Sequence, residues 1–165
     1  MSLLYPKQFI RDVLIDEIGD VVNHHPYLAF LLISSGIEFL GKCIDTKNQE
    51  WDTNKNEQDE PPFDKAIKEL FPEKYKIFLE KYNLRDQLRN GMSHMYTPKA
   101  KIGLTQIKHD HDGKIKYKDN PVEEDNKLTI VIEYFYIDFV NACKTVIEKD
   151  FDVDKMNKPL LSIPN

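Results

Sequence analysis

Arginine is scarce in this chain. Three arginines stand against twenty lysines in 165 residues, and two of the three, Arg85 and Arg89, lie four positions apart. Arginine differs from lysine where a planar fork must grip a carboxylate or phosphate, so the pair marks the stretch 85–96 for attention. Cysteine is scarcer: Cys43 and Cys143 both sit inside apolar helical patterns. They read as reduced core residues, with a bridge between them as the alternative. There is no Cys-x-x-Cys, no Gly-rich phosphate loop and no Gly-x-Ser-x-Gly. Zinc chemistry, P-loop nucleotide hydrolysis and serine hydrolysis therefore have no support. Long apolar runs are missing too. The longest, Tyr27 to Ile37, closes at Glu38 and is too short to span a bilayer. The opening Met1 to Lys7 lacks a basic region followed by an apolar stretch, so the expectation is a cytoplasmic protein away from membranes. Positive charge is not in excess: the net charge of −5 argues against a broad non-specific nucleic-acid surface. It leaves room for a local basic site.

What is present reads as one mainly α domain over residues 1–150, with five or so helices. Apolar spacing at Phe9, Ile10, Val13, Leu14, Ile18, Val21 and Val22 predicts an amphipathic helix over 7–22. Pro26 breaks it and starts the next. Residues 26–45 are apolar on nearly all sides, which predicts a central buried helix. Ser34, Ser35 and Gly36 permit close contact, and Glu38 needs a partner if buried. Residues 46–62 form a polar loop that Trp51 can pin. Residues 63–82 give one or two helices broken at Pro72, and 83–96 give the arginine helix, stopped by Pro98. The pattern then turns to strands. Lys101–Lys108, Lys114–Lys118 and Lys127–Ile132, with a turn signal at Asp112-Gly113, predict a small antiparallel hairpin or sheet over about 100–132. It is inserted before a last helix over 134–150, and residues 151–165 read as an extended C-terminal arm.

The arginine helix carries the chemistry. On α-helical spacing Leu84, Leu88, Gly91, Met92 and Met95 share a core face. Arg85 and Arg89 share another, and Asn90 lies one turn before His94, where it can orient the imidazole. Arg89 and His94 are about 140° apart and ~7.5 Å along an ideal helix, so a second copy of the helix brings the two groups together better than one copy does. Gly91 costs about 1 kcal/mol against alanine, which close approach of two helices would account for. His94 falls in the last turn, where the helix dipole favours imidazolium. It can act as general acid or base near neutral pH, while an arginine stabilises charge developing on phosphate. These are the parts for metal-independent RNA cleavage by an adjacent 2′-OH.

The run Arg89-Asn90-Gly91-Met92-Ser93-His94 resembles the signature of the HEPN superfamily: Arg, a polar residue, three variable residues, then His. Every fixed position matches, and a helical layout with the motif late in the chain is similar as well. The resemblance implies a helical-bundle homodimer with the motif at the subunit interface. It implies Arg89 and His94 as catalytic residues, with Asn90 supporting them. Many members are ribonucleases or toxin-like RNases; others are non-catalytic and bind nucleotides or partners. The leading expectation is thus a metal-independent endoribonuclease, and the alternative a non-catalytic module that binds nucleotide, RNA or protein. Arg85, Ser93, Tyr96 and Lys99 are the candidate binding residues. A neutralising protein partner is a further expected class, and no cofactor or metal is expected. The strands at 100–132 lie outside the minimal family pattern and mark a subgroup with an insertion.

Each reading has a plainer counterpart. The arginines of a surface helix can pair with Glu38 or Asp86 while His94 caps carbonyls, and Arg85 is more often an ion-pair partner than a ligand contact. His24 and His25 are adjacent and do not converge. His109 and His111 share a face in a strand and, with Asp110 and Asp112, form a weak metal candidate. Lys99, Lys101, Lys108, Lys114, Lys116 and Lys118 give residues 97–118 a net charge of +4 after Asp110 and Asp112. That segment is either a solvated hairpin or an RNA-facing patch, with Tyr96 or Tyr117 available to stack on a base.

Overall fold

The computed structural model describes residues 2–51, 59–108, 112–149, 151 and 153–163. Among these, six helices carry the fold. Helix α1 (residues 6–24) opens as Pro6–Phe9, widens into a π-helical stretch over Ile10–Glu17 and closes as Ile18–His24. Then follow α2 (Pro26–Cys43), α3 (Pro62–Leu70) and α4 (Glu73–Lys81). Helix α5 (residues 85–95) is π-helical over Arg85–Asn90 and α-helical over Gly91–Met95, and α6 is Ile132–Glu148. Proline begins α1, α2 and α3, because its fixed φ suits the first turn and its missing N–H would be unpaired there anyway. Pro72 separates α3 from α4.

Helix α2 is the centre of the bundle, with Ala29, Phe30, Ile33, Ser34, Gly36, Ile37, Leu40, Gly41 and Cys43 all buried. Phe30 and Tyr75 both stack on Phe135 of α6, with centroids 6.2 and 6.0 Å away. Ser34 returns its hydroxyl to the Phe30 carbonyl at 2.6 Å, which satisfies a polar group inside the core. Gly41 lets α3 touch the α2 backbone: a Cβ there would lie 1.8 Å from the Pro62 carbonyl oxygen. Cys43 and Cys143 are free thiols in the core, and burial pushes both up in pKa. No helix among the described residues is long and apolar enough to cross a membrane.

The sheet departs from expectation. Strands β2 (Ile102–Thr105), β3 (Val122–Glu124) and β4 (Lys127–Val131) form a mixed sheet in the order β2-β4-β3. β2 runs parallel to β4, with Ile102 opposite Leu128, and only the β3–β4 pair is antiparallel. The tight turn is at Asp125-Asn126, where both residues have positive φ (50° and 59°). That is the primed hairpin geometry that matches strand twist. Asp112-Gly113 is a turn in the β2–β3 connection, where Lys116 N–H donates to the Lys108 carbonyl at 2.8 Å. Lys114–Lys118 forms no strand of the sheet. Its alternation reflects a segment exposed at five of its six positions from 113 to 118, not a half-buried strand.

The C-terminal arm is tied down. β5 (Leu161–Ile163) pairs antiparallel with β1 (Ser2–Leu4), and a 3₁₀ turn over Asp154–Asn157 precedes it. Lys155 in that turn is buried, and its Nζ donates to the carbonyls of Asp45 (3.1 Å) and Asn48. The same ammonium lies 5.5 Å from the Trp51 ring, and Trp51 stacks flat on Phe39. One lysine thus gathers the loop after α2, and burial lowers its pKa.

A second polar knot joins the sheet to the helices. Buried Asn120 accepts from Val131 N–H and donates to Tyr75 Oη, both at 2.7 Å, and Tyr75 Oη donates to Asp138 Oδ2 at 2.7 Å. Burial raises the Asp138 carboxyl above its ordinary value and outweighs the opposing Tyr75 hydrogen bond and Lys74 charge, with Asp119 adding to the rise.

Two outcomes follow from these knots. Lys155→Ala leaves two carbonyls unsatisfied and should cost about 2 kcal/mol in urea unfolding; an unchanged midpoint would show that water replaces the ammonium freely. Asp138 holds its proton more tightly folded than unfolded, so its contribution is full below the unfolded value and lost as pH rises through the folded one. Asp138→Asn should therefore be more stable than wild type at pH 7, with the gap shrinking toward pH 3. A gap independent of pH would contradict this.

Candidate functional site

Helix α5 enters the bundle along α2. Leu84, Leu88 and Met92 are buried, and Gly91 is buried beside them. Its first part is a π-turn, in which Gly91 N–H reaches back five residues to the Asp86 carbonyl. A π-turn holds more residues than an α-turn, so residues five apart, rather than four, come to one side. Arg85 and Asn90 are five apart, and both line one small cleft with Arg89. Glu38 from α2 and the wall Pro61-Pro62-Phe63 complete it, enclosing about 90 Å³.

The arginines in this cleft are held. Arg89 Nε donates to Glu38 Oε2 at 2.6 Å, and Arg89 Nη2 lies 2.5 Å from the same oxygen. Arg89 Nη1 donates to Asn90 Oδ1 at 2.9 Å. A guanidinium has five N–H groups; three are engaged, which leaves one on each terminal nitrogen. The pair is only partly covered, with the Arg89 and Glu38 side chains 28% and 25% exposed. Arg85 Nε approaches Asp64 Oδ1 of α3 to 3.3 Å, close enough for an ion pair but out of hydrogen-bond alignment. Lys99 Nζ donates to Asp86 Oδ1 at 2.6 Å, and this bond holds the Asp86 carboxyl below its ordinary value.

The other expected site residues lie beyond the cleft. His94 is exposed at the end of α5 and makes no hydrogen bond or ion pair with a described residue. Asn90 turns to Arg89 instead of orienting His94, because the π-turn carries it to the arginine side. Ser93 is half-buried. Met95, expected in the core, is 65% exposed, since residues 94–97 form an exposed end to the helix. Tyr96 caps α5 in the left-handed region (φ 57°), and its carbonyl accepts from the Tyr27 hydroxyl at 2.6 Å. Within the chain, then, Arg85, Arg89, Asn90 and Glu38 converge, and His94 does not join them.

Gly91 also has a different partner from the one expected. A Cβ there would lie 2.6 Å from the Thr97 carbonyl oxygen and 3.1 Å from Lys99 N. The chain folds back over its own helix, and Lys99 N–H donates to the Gln87 carbonyl at 2.8 Å. Within its own chain the glycine serves this reversal. Sequence reasoning does not find Asp64 or the Pro61–Phe63 wall, since no local pattern links residue 64 to residue 85.

Among the described residues no three His, Cys, Asp or Glu side chains cluster closely enough to hold a metal ion. His109, Asp110 and His111 lie outside the described residues. His24 Nδ1 bonds the Asp20 carbonyl at 2.8 Å and so closes its own helix. An apolar cavity of about 320 Å³ between α1 and α2 is lined by Phe9, Val13, Ile18, Val21, Leu32 and Phe39 among others and lies away from α5. Its walls are apolar apart from Glu17 and Ser35, so it offers little for catalysis.

Compared with known proteins, the chain matches no family model, no curated protein and no solved structure. The HEPN resemblance therefore rests on the motif and its helix.

Helix propensity alone favours Gly91→Ala by about 1 kcal/mol. The close approach of Thr97 predicts the opposite sign, a loss of about 1–3 kcal/mol from overpacking. Chemical denaturation of the single variant decides between them.

Proposed function

We propose that this protein is an HEPN-type, metal-independent endoribonuclease that acts as a homodimer. The observation that carries the reading is the state of the motif helix. Arg89 is fixed by Glu38 and Asn90 with one N–H left on each terminal nitrogen, while His94 stands exposed on the same helix. The cleft beside Arg89 is small, about 90 Å³, a scale that suits a single phosphate group better than a nucleoside. Arg89 and His94 of one chain face apart, and pairing of two motif helices sets the arginine of one chain against the histidine of the other.

In such a site one imidazole removes the proton from the ribose 2′-OH. The 2′ oxygen attacks the adjacent phosphorus, and charge on the equatorial oxygens is met by Arg89. The P–O5′ bond breaks, an imidazolium protonates the leaving 5′ oxygen, and a 2′,3′-cyclic phosphate remains. The His94 of one chain, facing the Arg89 of the other, serves in turn as base and acid.

A second reading has its own observation. Arg89 is matched by Glu38 and Arg85 by Asp64, so the charges around the cleft are already balanced. That favours a non-catalytic HEPN-like module that binds RNA, a nucleotide or a neutralising protein. The two readings part on cleavage.

Incubation with a mixed RNA pool in EDTA should yield 2′,3′-cyclic phosphate ends. Arg89→Ala and His94→Ala should each lower the rate about 100-fold or more. Mixing the two variants under subunit exchange should restore about a quarter of wild-type activity, because each mixed dimer keeps one intact shared site. Activity persisting in both variants would overturn the ribonuclease reading. Loss without restoration would place Arg89 and His94 in one chain's site.

A further inference from the structure

A groove at the far end of the motif helix takes no part in the proposed cleavage. It lies between the start of α2 and the end of β2, is lined by Pro26, Tyr27, Phe30, Leu104, Gln106 and Lys108 among others, and encloses about 280 Å³. Tyr27 is half exposed (51%), and its hydroxyl donates to the carbonyl of Tyr96, two residues after His94. That bond fixes the Tyr27 ring and joins the groove to the end of the motif helix. Tyr96 itself is 68% exposed.

Lys99 is matched by Asp86, and Glu133 Oε2 accepts from Ile107 N–H at the groove; the sequence around the groove is otherwise basic. Residues 97–118 carry +4 within a chain of −5. Lys108 lies at the groove, exposed and without an ion pair among the described residues. Lys116 N–H donates to the Lys108 carbonyl, and Lys116 Nζ stands 4.9 Å from the Tyr117 ring. β2 is an edge strand, and the exposed Gln106 side chain just beyond it both donates and accepts.

We propose that this groove is a nucleobase subsite for single-stranded RNA, in which one unpaired base stacks on Tyr27 and Lys108 meets the adjoining phosphate. The proposal rests on the RNA reading above and adds where the strand is held. The volume falls just below the about 300–1,000 Å³ typical of small-molecule sites, the scale of one base with its sugar rather than a longer ligand. A base inside a duplex is stacked on both faces and cannot offer one to Tyr27, so the substrate is unpaired at this position. The ring is already fixed by its hydroxyl, so stacking costs little further ordering.

The test uses the full chain and a short single-stranded RNA with 2′-O-methyl riboses, which binds and cannot be cleaved by 2′-OH attack. Anisotropy should show Tyr27→Leu binding about tenfold more weakly than wild type, in line with one lost stacking contact. Tyr27→Phe should retain most of the affinity, because it keeps the ring. Lys108→Ala should lower the salt dependence of log K by about 0.7, one single-strand phosphate. With a series of RNAs each lacking one base, wild type should weaken at one position, and Tyr27→Leu should lose nothing further there. Equal affinity of Tyr27→Leu and wild type, or indifference to every missing base, overturns the subsite. Binding that follows Tyr27 without any cleavage of unmodified RNA by wild type upholds the subsite and sinks the nuclease reading. Cleavage by wild type with binding blind to Tyr27 does the reverse. A wild-type protein that binds no RNA overturns both.

Discussion

The structure depends on burying α2. A helix that is apolar on nearly every side can only be a centre, and α1, α3, α5 and α6 are arranged to cover it. Its single acidic residue, Glu38, falls in the middle of that burial. A half-covered carboxylate needs a donor, and Arg89 supplies two nitrogens to one of its oxygens. The ion pair therefore does two things. It makes Glu38 tolerable in the bundle, and it sets the position of the guanidinium that the motif contributes. Stability and site geometry share this one contact, so the arginine cannot be treated as a free surface charge.

The second determinant is the way α5 is wound and ended. The π-turn over Arg85–Asn90 takes Asn90 to the arginine side and so separates it from His94. Past Gly91 the chain folds back on the helix, which only a residue without Cβ allows at that distance. The reversal exposes residues 94–97 and brings Lys99 to Asp86. The outcome is a helix with two chemically distinct ends. One is a small, charge-balanced cleft against α2 and α3. The other carries an exposed His94, two residues before Tyr96, whose carbonyl accepts from the Tyr27 hydroxyl. A reaction needing both ends in one place would need a second chain, which is the ground on which the proposed function invokes a dimer.

Much of the helical framework is legible along the chain, because each helix carries its own apolar period and proline punctuation. The break at Pro72 and the buried 26–45 segment need no knowledge of neighbours. The sheet was less legible for a physical reason. Parallel pairing of β2 with β4 joins segments more than twenty residues apart, and no local alternation encodes it. The Asp112-Gly113 dipeptide carries the stronger hairpin signal, yet the β3–β4 hairpin turns at Asp125-Asn126, where two residues without glycine accept positive φ. Lys155 shows the same limit in another form. Nothing in its sequence surroundings distinguishes it from nineteen other lysines, and only the fold places two carbonyls and an indole around it.

By itself, then, the sequence determined the helical class, the central place of residues 26–43 and the residues on which chemistry can rest, since these follow from periodicity, proline positions and the rarity of arginine. Tertiary structure decided the rest. It chose Glu38 over Asp86 as the partner of Arg89, gave Asp86 to Lys99, turned Asn90 away from His94 and assigned Gly91 to a chain reversal. Each of these choices is made by groups distant in sequence meeting in space, and the energy of such a meeting has no local trace in the order of residues.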